Sequence, residues 1–182
     1  MAWEFDLLYW FQSLHHPVLD QIEKLITRFG DKGLFWIALT LLMLIFVKDK
    51  RLGMTAALAL VTEALICNVI LKNAVQRSRP CWLDSSVELL VKSPKDYSFP
   101  SGHSSVSFAV AVSIIQYHRK WGIAAVVFAA LIAISRLYLF VHFPTDVLVG
   151  TLIGTVMALI SGMIVRKGVE KHPELMSWKK DK

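Results

Sequence analysis

The stretch WGIAAVVFAALIAISRLYLFVHFPTDVLVGTLIGTVMALISGMIV, residues 121–165, decides the fold. It contains two long apolar runs, Trp121–Val141 and Val147–Val165, on either side of a short polar turn. Each run approaches the ~20 residues that a helix needs to cross the hydrocarbon core of a bilayer. Because unpaired backbone groups are costly in lipid, such runs are expected to be transmembrane helices. The sequence therefore predicts a membrane protein whose polar turn lies at one bilayer surface.

Three further apolar runs precede this stretch, namely Gly33–Val47, Leu52–Leu71 and Ser104–Tyr117. The first and third are short for a full crossing, which local thinning of the bilayer or extension into flanking residues accommodates. The composition agrees, since 55% of the 182 residues are apolar and the mean hydropathy is +0.51. We predict an all-α polytopic membrane bundle of five to six helices, with residues 33–166 as its transmembrane domain.

Residues 1–32 have a different pattern, in which apolar residues recur at roughly helical spacing but charged residues interrupt them. Pro17 divides the segment into two parts. This pattern is typical of amphipathic helices that lie in the plane of the membrane interface. We therefore predict an N-terminal interfacial segment, and a sixth span in the same residues is the alternative.

Lysine and arginine are concentrated in the segments that five spans would place on one side of the membrane. These residues are Lys48, Lys50, Arg51, Arg119, Lys120, Arg166, Lys167, Lys171, Lys179, Lys180 and Lys182. Because short cytoplasmic loops are enriched in basic residues, we predict that this side is cytoplasmic and that residues 167–182 form a basic cytoplasmic tail. The extracytoplasmic face then holds residues 72–101 and the turn at His142.

Two features inside the apolar runs predict contacts between helices. Small residues recur at every fourth position of the last run, and such a stripe allows close helix packing; they are Gly150, Gly154, Ala158 and Gly162. Glu63 lies within the second run, where an ionisable side chain is costly and needs a partner. We predict an interhelical hydrogen bond for it, with a proton-transfer or headgroup role as the alternative.

Three polar segments are predicted to share the extracytoplasmic face. They are Lys72 with Arg79-Pro80, then Pro100-Ser101-Gly102-His103, and finally Ser135-Arg136 with His142 and Asp146. Arginine offers forked contacts to phosphate oxygens, lysine adds a point charge, and a helix N-terminus adds free N–H groups. A basic collar at the membrane interface would explain the cations but neither the histidines nor the serine-glycine turn. The predicted phosphate ligands are Lys72, Arg79, Ser101, Gly102 and Arg136.

Two histidines can divide the work of cleaving a phosphate ester, one as the nucleophile and one as the general acid. Asp146, four residues after His142, is expected near the start of a helix. There it can accept the Nδ1 proton of His142 and leave Nε2 free to attack phosphorus. His103 lies in the turn predicted to hold phosphate, near the leaving oxygen. Since the outer loops have no carboxylate cluster of the kind that a two-metal phosphatase needs, we predict no metal and no cofactor.

In these three segments the chain resembles the type 2 phosphatidic acid phosphatase family, which is related to glucose-6-phosphatase and the vanadium haloperoxidases. All three signature motifs of that family match without gaps, and the resemblance covers roughly residues 30–165. It implies that His142 is the nucleophile, that Asp146 orients it and that His103 is the general acid. The residues implied to hold phosphate are Lys72, Arg79, Ser101, Gly102 and Arg136.

The resemblance implies an enzyme of the cell membrane that removes phosphate from a lipid through a phosphohistidine intermediate. It implies phosphatidic acid, phosphatidylglycerophosphate or undecaprenyl diphosphate as substrate, and partners limited to that lipid and the bilayer, without nucleic acid. Some polyprenyl diphosphatases of the family have aspartate where this chain has Gly102, which disfavours that substrate slightly. Residues 82–97 are expected to select the headgroup. A lipid phosphotransferase and a non-catalytic lipid-binding protein are the alternatives.

Overall fold

The computed structural model describes residues 2–172, and the regular secondary structure in that range is entirely helical. The helices are α1 (Ala2–Ser13), α2 (Pro17–Arg28), α3 (Leu34–Phe46), α4 (Lys50–Ala64), α5 (Lys72–Val75), α6 (Pro80–Leu83), α7 (Gly102–Ile115), α8 (Arg119–Tyr138) and α9 (Pro144–Lys171). A 3-10 turn, Asp31–Gly33, joins α2 to α3, and a π-helical segment, Leu65–Leu71, joins α4 to α5. The prediction of an all-α bundle is confirmed.

Three stretches of the described chain are long and apolar enough to cross a membrane, namely Lys50–Leu83, Arg119–Tyr138 and Pro144–Lys171. Helices α2 and α3 pass the same test only as a pair that is bent by 41° at the turn between them. Helix α7 is apolar but has only 14 residues, as expected for the short third run. An interfacial position for residues 1–32 therefore stays a prediction.

Helix α7 lies at the centre of the bundle, where it packs against α4, α8 and α9. Its serines are buried, and two of their hydroxyls donate hydrogen bonds to groups in helices. Ser113 Oγ donates to the Ala109 carbonyl oxygen at 2.7 Å, and Ser105 Oγ donates to Glu63 Oε2 at 2.7 Å. The second bond joins α7 to α4, so the structure contains the interhelical hydrogen bond predicted for Glu63.

The stripe of small residues in α9 packs directly against α7. A Cβ atom added at Gly154 would lie 2.2 Å from the Ser105 carbonyl oxygen, and one at Gly150 would lie 2.4 Å from the Ser101 carbonyl oxygen. At the end of this contact, Ser101 N donates to the Asp146 carbonyl oxygen at 3.0 Å. The glycines therefore set how closely the polar start of α7 approaches the polar start of α9.

The N-terminal helices pack over the polar end of the bundle. Leu8 of α1 is fully buried against Phe140 and Phe143 in the turn between α8 and α9. Gln12 Nε2 donates to the Tyr138 carbonyl oxygen at 2.9 Å, and α2 packs along α8. The N-terminal segment therefore lies beside the residues that the sequence predicts to be catalytic.

Two helices continue beyond the limits of the predicted apolar runs. The helical path of the second run passes through the π-helical segment into α5, so Lys72 is helical and does not begin a loop. Helix α9 runs to Lys171, so residues 167–171 of the predicted tail are helical as well. Residues 173–182 of that tail lie outside the described residues.

Replacing Gly154 with alanine is expected to loosen the contact of α9 with α7, because the new methyl group would overlap the Ser105 carbonyl oxygen. Overpacking of a close contact typically costs about 1–3 kcal/mol, so the thermal unfolding midpoint in detergent should fall by several degrees. Gly168→Ala in the same helix is the matched control, because no atom outside its own helical turns lies within 4 Å of the added Cβ there. Equal unfolding midpoints for the two variants would contradict this packing.

Candidate active site

A cavity of about 890 Å³ opens at the polar end of the bundle. Six of the eight predicted site residues line it, namely Lys72, Arg79, Gly102, His103, Arg136 and His142. The other two, Ser101 and Asp146, are fully buried and do not line the cavity. The remainder of the wall includes apolar side chains of α3, α4 and α7, namely Ile37, Leu60, Ala64 and Val106. The three polar segments, distant in sequence, therefore meet at one place.

The imidazole of His142 is held between an arginine and a carboxylate in the turn before α9. Nε2 lies 3.0 Å from Arg79 Nη1, and Nδ1 lies 3.6 Å from Asp146 Oδ2. Because a guanidinium only donates hydrogen bonds, Nε2 is the acceptor and the ring proton is on Nδ1, facing Asp146. Burial, followed by the charges of Arg79 and Arg136, holds the pKa of His142 well below its ordinary value of 6.5. The ring is therefore neutral at physiological pH, which is the form that a nucleophile requires.

The Asp146 carboxylate is fixed by donors from three parts of the chain. It accepts a hydrogen bond from Phe143 N at 2.8 Å, one from Ser98 Oγ, and one from Arg77 Nη1 at 2.6 Å. The Ser98 hydroxyl also lies 3.5 Å from Nδ1 of His142. These contacts leave the carboxylate little freedom to rotate, so its position beside the imidazole is fixed. The sequence analysis predicted Asp146 but missed Ser98.

Arg77 is a second residue of this site that the sequence analysis missed. Its Nη1 donates to Asp146 Oδ1 and to Thr145 Oγ1, each at 2.6 Å, and its Nη2 donates to Glu4 Oε2 at 2.7 Å. The motif spacing assigns a role to Arg79 but none to the arginine two residues earlier. In an extended segment, alternate side chains point to the same face. The spacing of two residues between Arg77 and Arg79 was therefore the signal in the sequence that Arg77 also belongs to the site.

Asp96 connects two of the cations predicted to bind phosphate. Lys72 Nζ donates to its carboxylate, Arg79 Nη2 donates to Oδ1 at 2.9 Å, and Arg79 Nε donates to its main-chain oxygen at 2.7 Å. Burial opposes ionisation of this carboxyl, but the Lys72 hydrogen bond and the Arg79 charge outweigh it and lower the pKa of Asp96 to about 2. An ionised carboxylate therefore pairs with two of the cations that the sequence predicts to bind phosphate.

Helix α7 begins at the floor of the site. Ser101 caps it, because its hydroxyl accepts hydrogen bonds from Ser104 N at 3.4 Å and from Ser104 Oγ at 2.9 Å. Gly102 lines the cavity, and a Cβ atom there would lie 3.1 Å from Asn68 Oδ1. The Ser101 hydroxyl is thus used within its own helix, and a direct contact with phosphate stays a prediction for this residue.

Arg136 and His103 both contact the N-terminal segment. Arg136 Nη1 donates to Thr27 Oγ1, whereas its buried Nε has no hydrogen-bond partner within residues 2–172. His103 Nε2 lies 3.0 Å from Asp31 Oδ1. An unpaired buried donor is costly, so the guanidinium of Arg136 favours an anion in the cavity that it lines.

Comparison with known proteins identifies the family. The profile of the PAP2 superfamily matches residues 52–169. The chain belongs to the PAP2 superfamily. It is 31% identical over 159 residues to an undecaprenyl-diphosphatase from Sulfolobus acidocaldarius, in an alignment that covers 87% of this chain and 76% of that protein.

Solved structures of PAP2 proteins share this fold. LpxE from Aquifex aeolicus gives a TM-score of 0.79 at 29% identity, over 88% of this chain and 95% of that one. A phosphatidylglycerolphosphate phosphatase from Bacillus subtilis gives a TM-score of 0.71 at 26% identity, over 100% of this chain and 88% of that one. The family resemblance read from the three motifs is confirmed, and this PAP2 protein is a multi-pass membrane phosphatase.

Asp96→Asn is expected to strengthen inhibition by vanadate, a phosphate mimic, by severalfold. The neutral amide would compete less than a carboxylate for Lys72 and Arg79, so the mimic would bind with less competition. The measurement is the vanadate concentration that halves phosphate release. Glu88→Gln, which removes an exposed charge from the same loop, is the matched control. An unchanged inhibition constant in Asp96→Asn would mean that this carboxylate does not compete with the anion.

Proposed function

We propose that this chain hydrolyses the phosphate ester or diphosphate of a lipid through a phosphohistidine on His142. The observation that carries the proposal is the arrangement of this ring, with Nε2 beside Arg79 at the cavity and Nδ1 facing Asp146. A neutral imidazole whose other nitrogen is held by a carboxylate is the arrangement that nucleophilic catalysis by histidine requires. Membership of the PAP2 superfamily supports the same chemistry.

In the first step, the lone pair on His142 Nε2 attacks phosphorus and displaces the lipid oxygen. Lys72, Arg79 and Arg136 line the cavity and supply positive charge to the phosphoryl oxygens as the transition state forms. The ring becomes cationic, and the Asp146 carboxylate stabilises that charge at Nδ1. His103 gives its proton to the departing oxygen, so the lipid leaves as an alcohol or, from a diphosphate, as a monophosphate.

In the second step, water attacks the phosphohistidine. His103, now neutral, takes a proton from that water as the new P–O bond forms and the P–N bond breaks. Inorganic phosphate leaves, and both histidines return to their starting protonation states. The same two side chains therefore serve both half-reactions, and neither half-reaction changes an oxidation state.

The shape and lining of the cavity support a lipid substrate. Its cationic part continues into an apolar part between α3, α4 and α7, where the lining residues include Ile37, Leu60 and Val106. A soluble phosphate ester needs only the first part, whereas a lipid phosphate can use both. Relatives named for undecaprenyl diphosphate and phosphatidylglycerolphosphate support the same class of substrate.

The proposed reaction uses protein cations in place of a metal ion. Within the described part of the chain, no three His, Cys, Asp or Glu side chains are grouped closely enough to hold a metal. Metal independence remains part of the proposal, and activity in the presence of excess EDTA tests it. Activity that is lost on chelation and restored by a divalent ion would contradict it.

His142→Ala is expected to abolish release of inorganic phosphate from purified lipid phosphates, because the attacking nitrogen is removed. His118→Ala is the matched control, since His118 is exposed and precedes α8, at the opposite end of that helix from Arg136. The assay should use a panel of phosphatidic acid, phosphatidylglycerophosphate and a polyprenyl diphosphate. Formation of a second phosphorylated lipid in place of free phosphate would identify a phosphotransferase, and inactivity on all of them would favour a non-catalytic lipid-binding protein.

The site is further proposed to face the extracytoplasmic side, with the C-terminus in the cytoplasm, because the basic loops lie at the other end of the spans. A cysteine introduced by Ser85→Cys in a Cys81→Ser background should then react with an impermeant thiol reagent added to intact cells. Lys167→Cys in the same background is the matched control and should react only after lysis. The reverse labelling pattern would contradict this topology.

A further inference from the structure

The N-terminal segment, which lies before the region matched by the family profile at residues 52–169, reaches all three catalytic motifs. Each contact joins a polar side chain of that segment to an ionisable side chain in or beside a motif. The pairs are Glu4 with Arg77, Thr27 with Arg136, and Asp31 with His103. Of the three, the last involves a residue that transfers a proton in the proposed reaction.

We propose that Asp31 is a positioning residue of the catalytic machinery, which holds His103 in the orientation of the general acid. The proposal rests on the function proposed above and adds a residue to it. The distance between His103 Nε2 and Asp31 Oδ1 is 3.0 Å, which is hydrogen-bonding distance. The two histidines of the site thus each have one aspartate, Asp146 for the nucleophile and Asp31 for the acid.

The contact fixes which edge of the His103 ring is available for chemistry. A Cβ atom added at Gly30 would lie 2.4 Å from His103 Cδ2, so only glycine allows the backbone to come this close to the ring. Asp31, the next residue, takes the neighbouring ring atom, Nε2. The Cδ2–Nε2 edge therefore faces the N-terminal segment, and Nδ1, on the other side of the ring, remains to donate to the leaving oxygen.

The position of Asp31 is set by the break between α2 and α3. Lys32 and Gly33 both have positive φ, at 51° and 66°, and this turn ends one helix and starts the next. A Cβ atom at Gly33 would lie 3.0 Å from the Val106 side chain, so the turn is seated on α7, one helical turn after His103. The same helix thus carries the histidine and supports the turn that supplies its carboxylate.

The positive charges around His103 explain why a carboxylate beside the ring would assist proton transfer. Arg136 and Arg79 line the same cavity as the ring, and both disfavour a second positive charge there. Asp31 is the anion in direct contact with the ring, so it offsets part of their repulsion when His103 carries the proton that a general acid needs. When the P–O bond breaks, the proton on Nδ1 passes to the lipid oxygen and Asp31 stays ionised. The neutral ring then accepts a proton from the attacking water, which restores the starting state.

The test compares two substrates that differ in their need for an acid. An alkyl lipid phosphate has a poor leaving group that must be protonated, whereas p-nitrophenyl phosphate releases a stable anion. Asp31→Asn should lower kcat for the lipid by about 10- to 100-fold, which is at most the lower end of the roughly 100- to 10,000-fold that general acid catalysis contributes. It should lower kcat for the aryl ester only slightly. Asp31→Glu, which keeps the carboxylate, should recover part of the loss. Asp6→Asn, an exposed acid in α1, should match the wild type on both substrates.

The two proposals fail in different ways. His103→Ala is the reference variant and should show the same dependence on leaving group. If His103→Ala shows this dependence but Asp31→Asn lowers kcat equally for both substrates, or lowers it for neither, the role of Asp31 is overturned. If His103→Ala loses activity equally on both substrates, the assignment of His103 as the general acid is wrong, and the role of Asp31 fails with it. If the wild-type protein releases phosphate from neither substrate, the proposed function is overturned. Because the Asp31 side chain is 57% exposed, its ion pair contributes little to folding, and Asp31→Asn should fold normally.

Discussion

The start of α7 and the start of α9 are joined by one backbone hydrogen bond, from Ser101 N to the Asp146 carbonyl oxygen. The site depends on this bond because it fixes the distance between the turn at Gly102 and the aspartate beside His142. The bond can form only because Gly150 lets the two backbones touch. The close packing of α7 against α9 therefore also sets the geometry of the site. A larger side chain at Gly150 would disturb both.

Several cations lie together at one end of a largely apolar bundle, and their charges require compensation. Taking a charge out of water is expensive unless an opposite charge or several hydrogen bonds accompany it. Asp96 compensates Lys72 and Arg79, whereas Asp146 and Glu4 compensate Arg77. The cations proposed to bind phosphate are thus already neutralised by carboxylates of the protein, so under that proposal an entering phosphate group exchanges partners with Asp96.

The helices and the family could be predicted from the sequence because their signals are local. Hydropathy over about 20 residues reports a span, and motif spacing reports residues that a known family uses at fixed positions. Arg77, Ser98 and Asp31 were missed because their importance lies in contacts with residues distant in sequence, which spacing does not encode. Ser101 illustrates the reverse case, since the motif marks it for phosphate while its hydroxyl caps α7. The polar contacts of residues 1–32 could not be predicted either, because they form only with residues that the folded bundle brings close. Their position at the membrane interface depends on the bilayer as well as on the chain.

The π-helical segment Leu65–Leu71 determines the direction in which the next residue of that helix points. Such a segment is equivalent to one additional residue accommodated within an α-helix, and one residue corresponds to a rotation of about 100° around the axis. Lys72 follows directly after it and lines the cavity, as do Glu63 and Asn68 from the same helix. If the same seven residues were wound as a regular α-helix, the lysine would be turned by about 100°, away from the other two cations. The register of a wall helix therefore controls the electrostatics of the pocket.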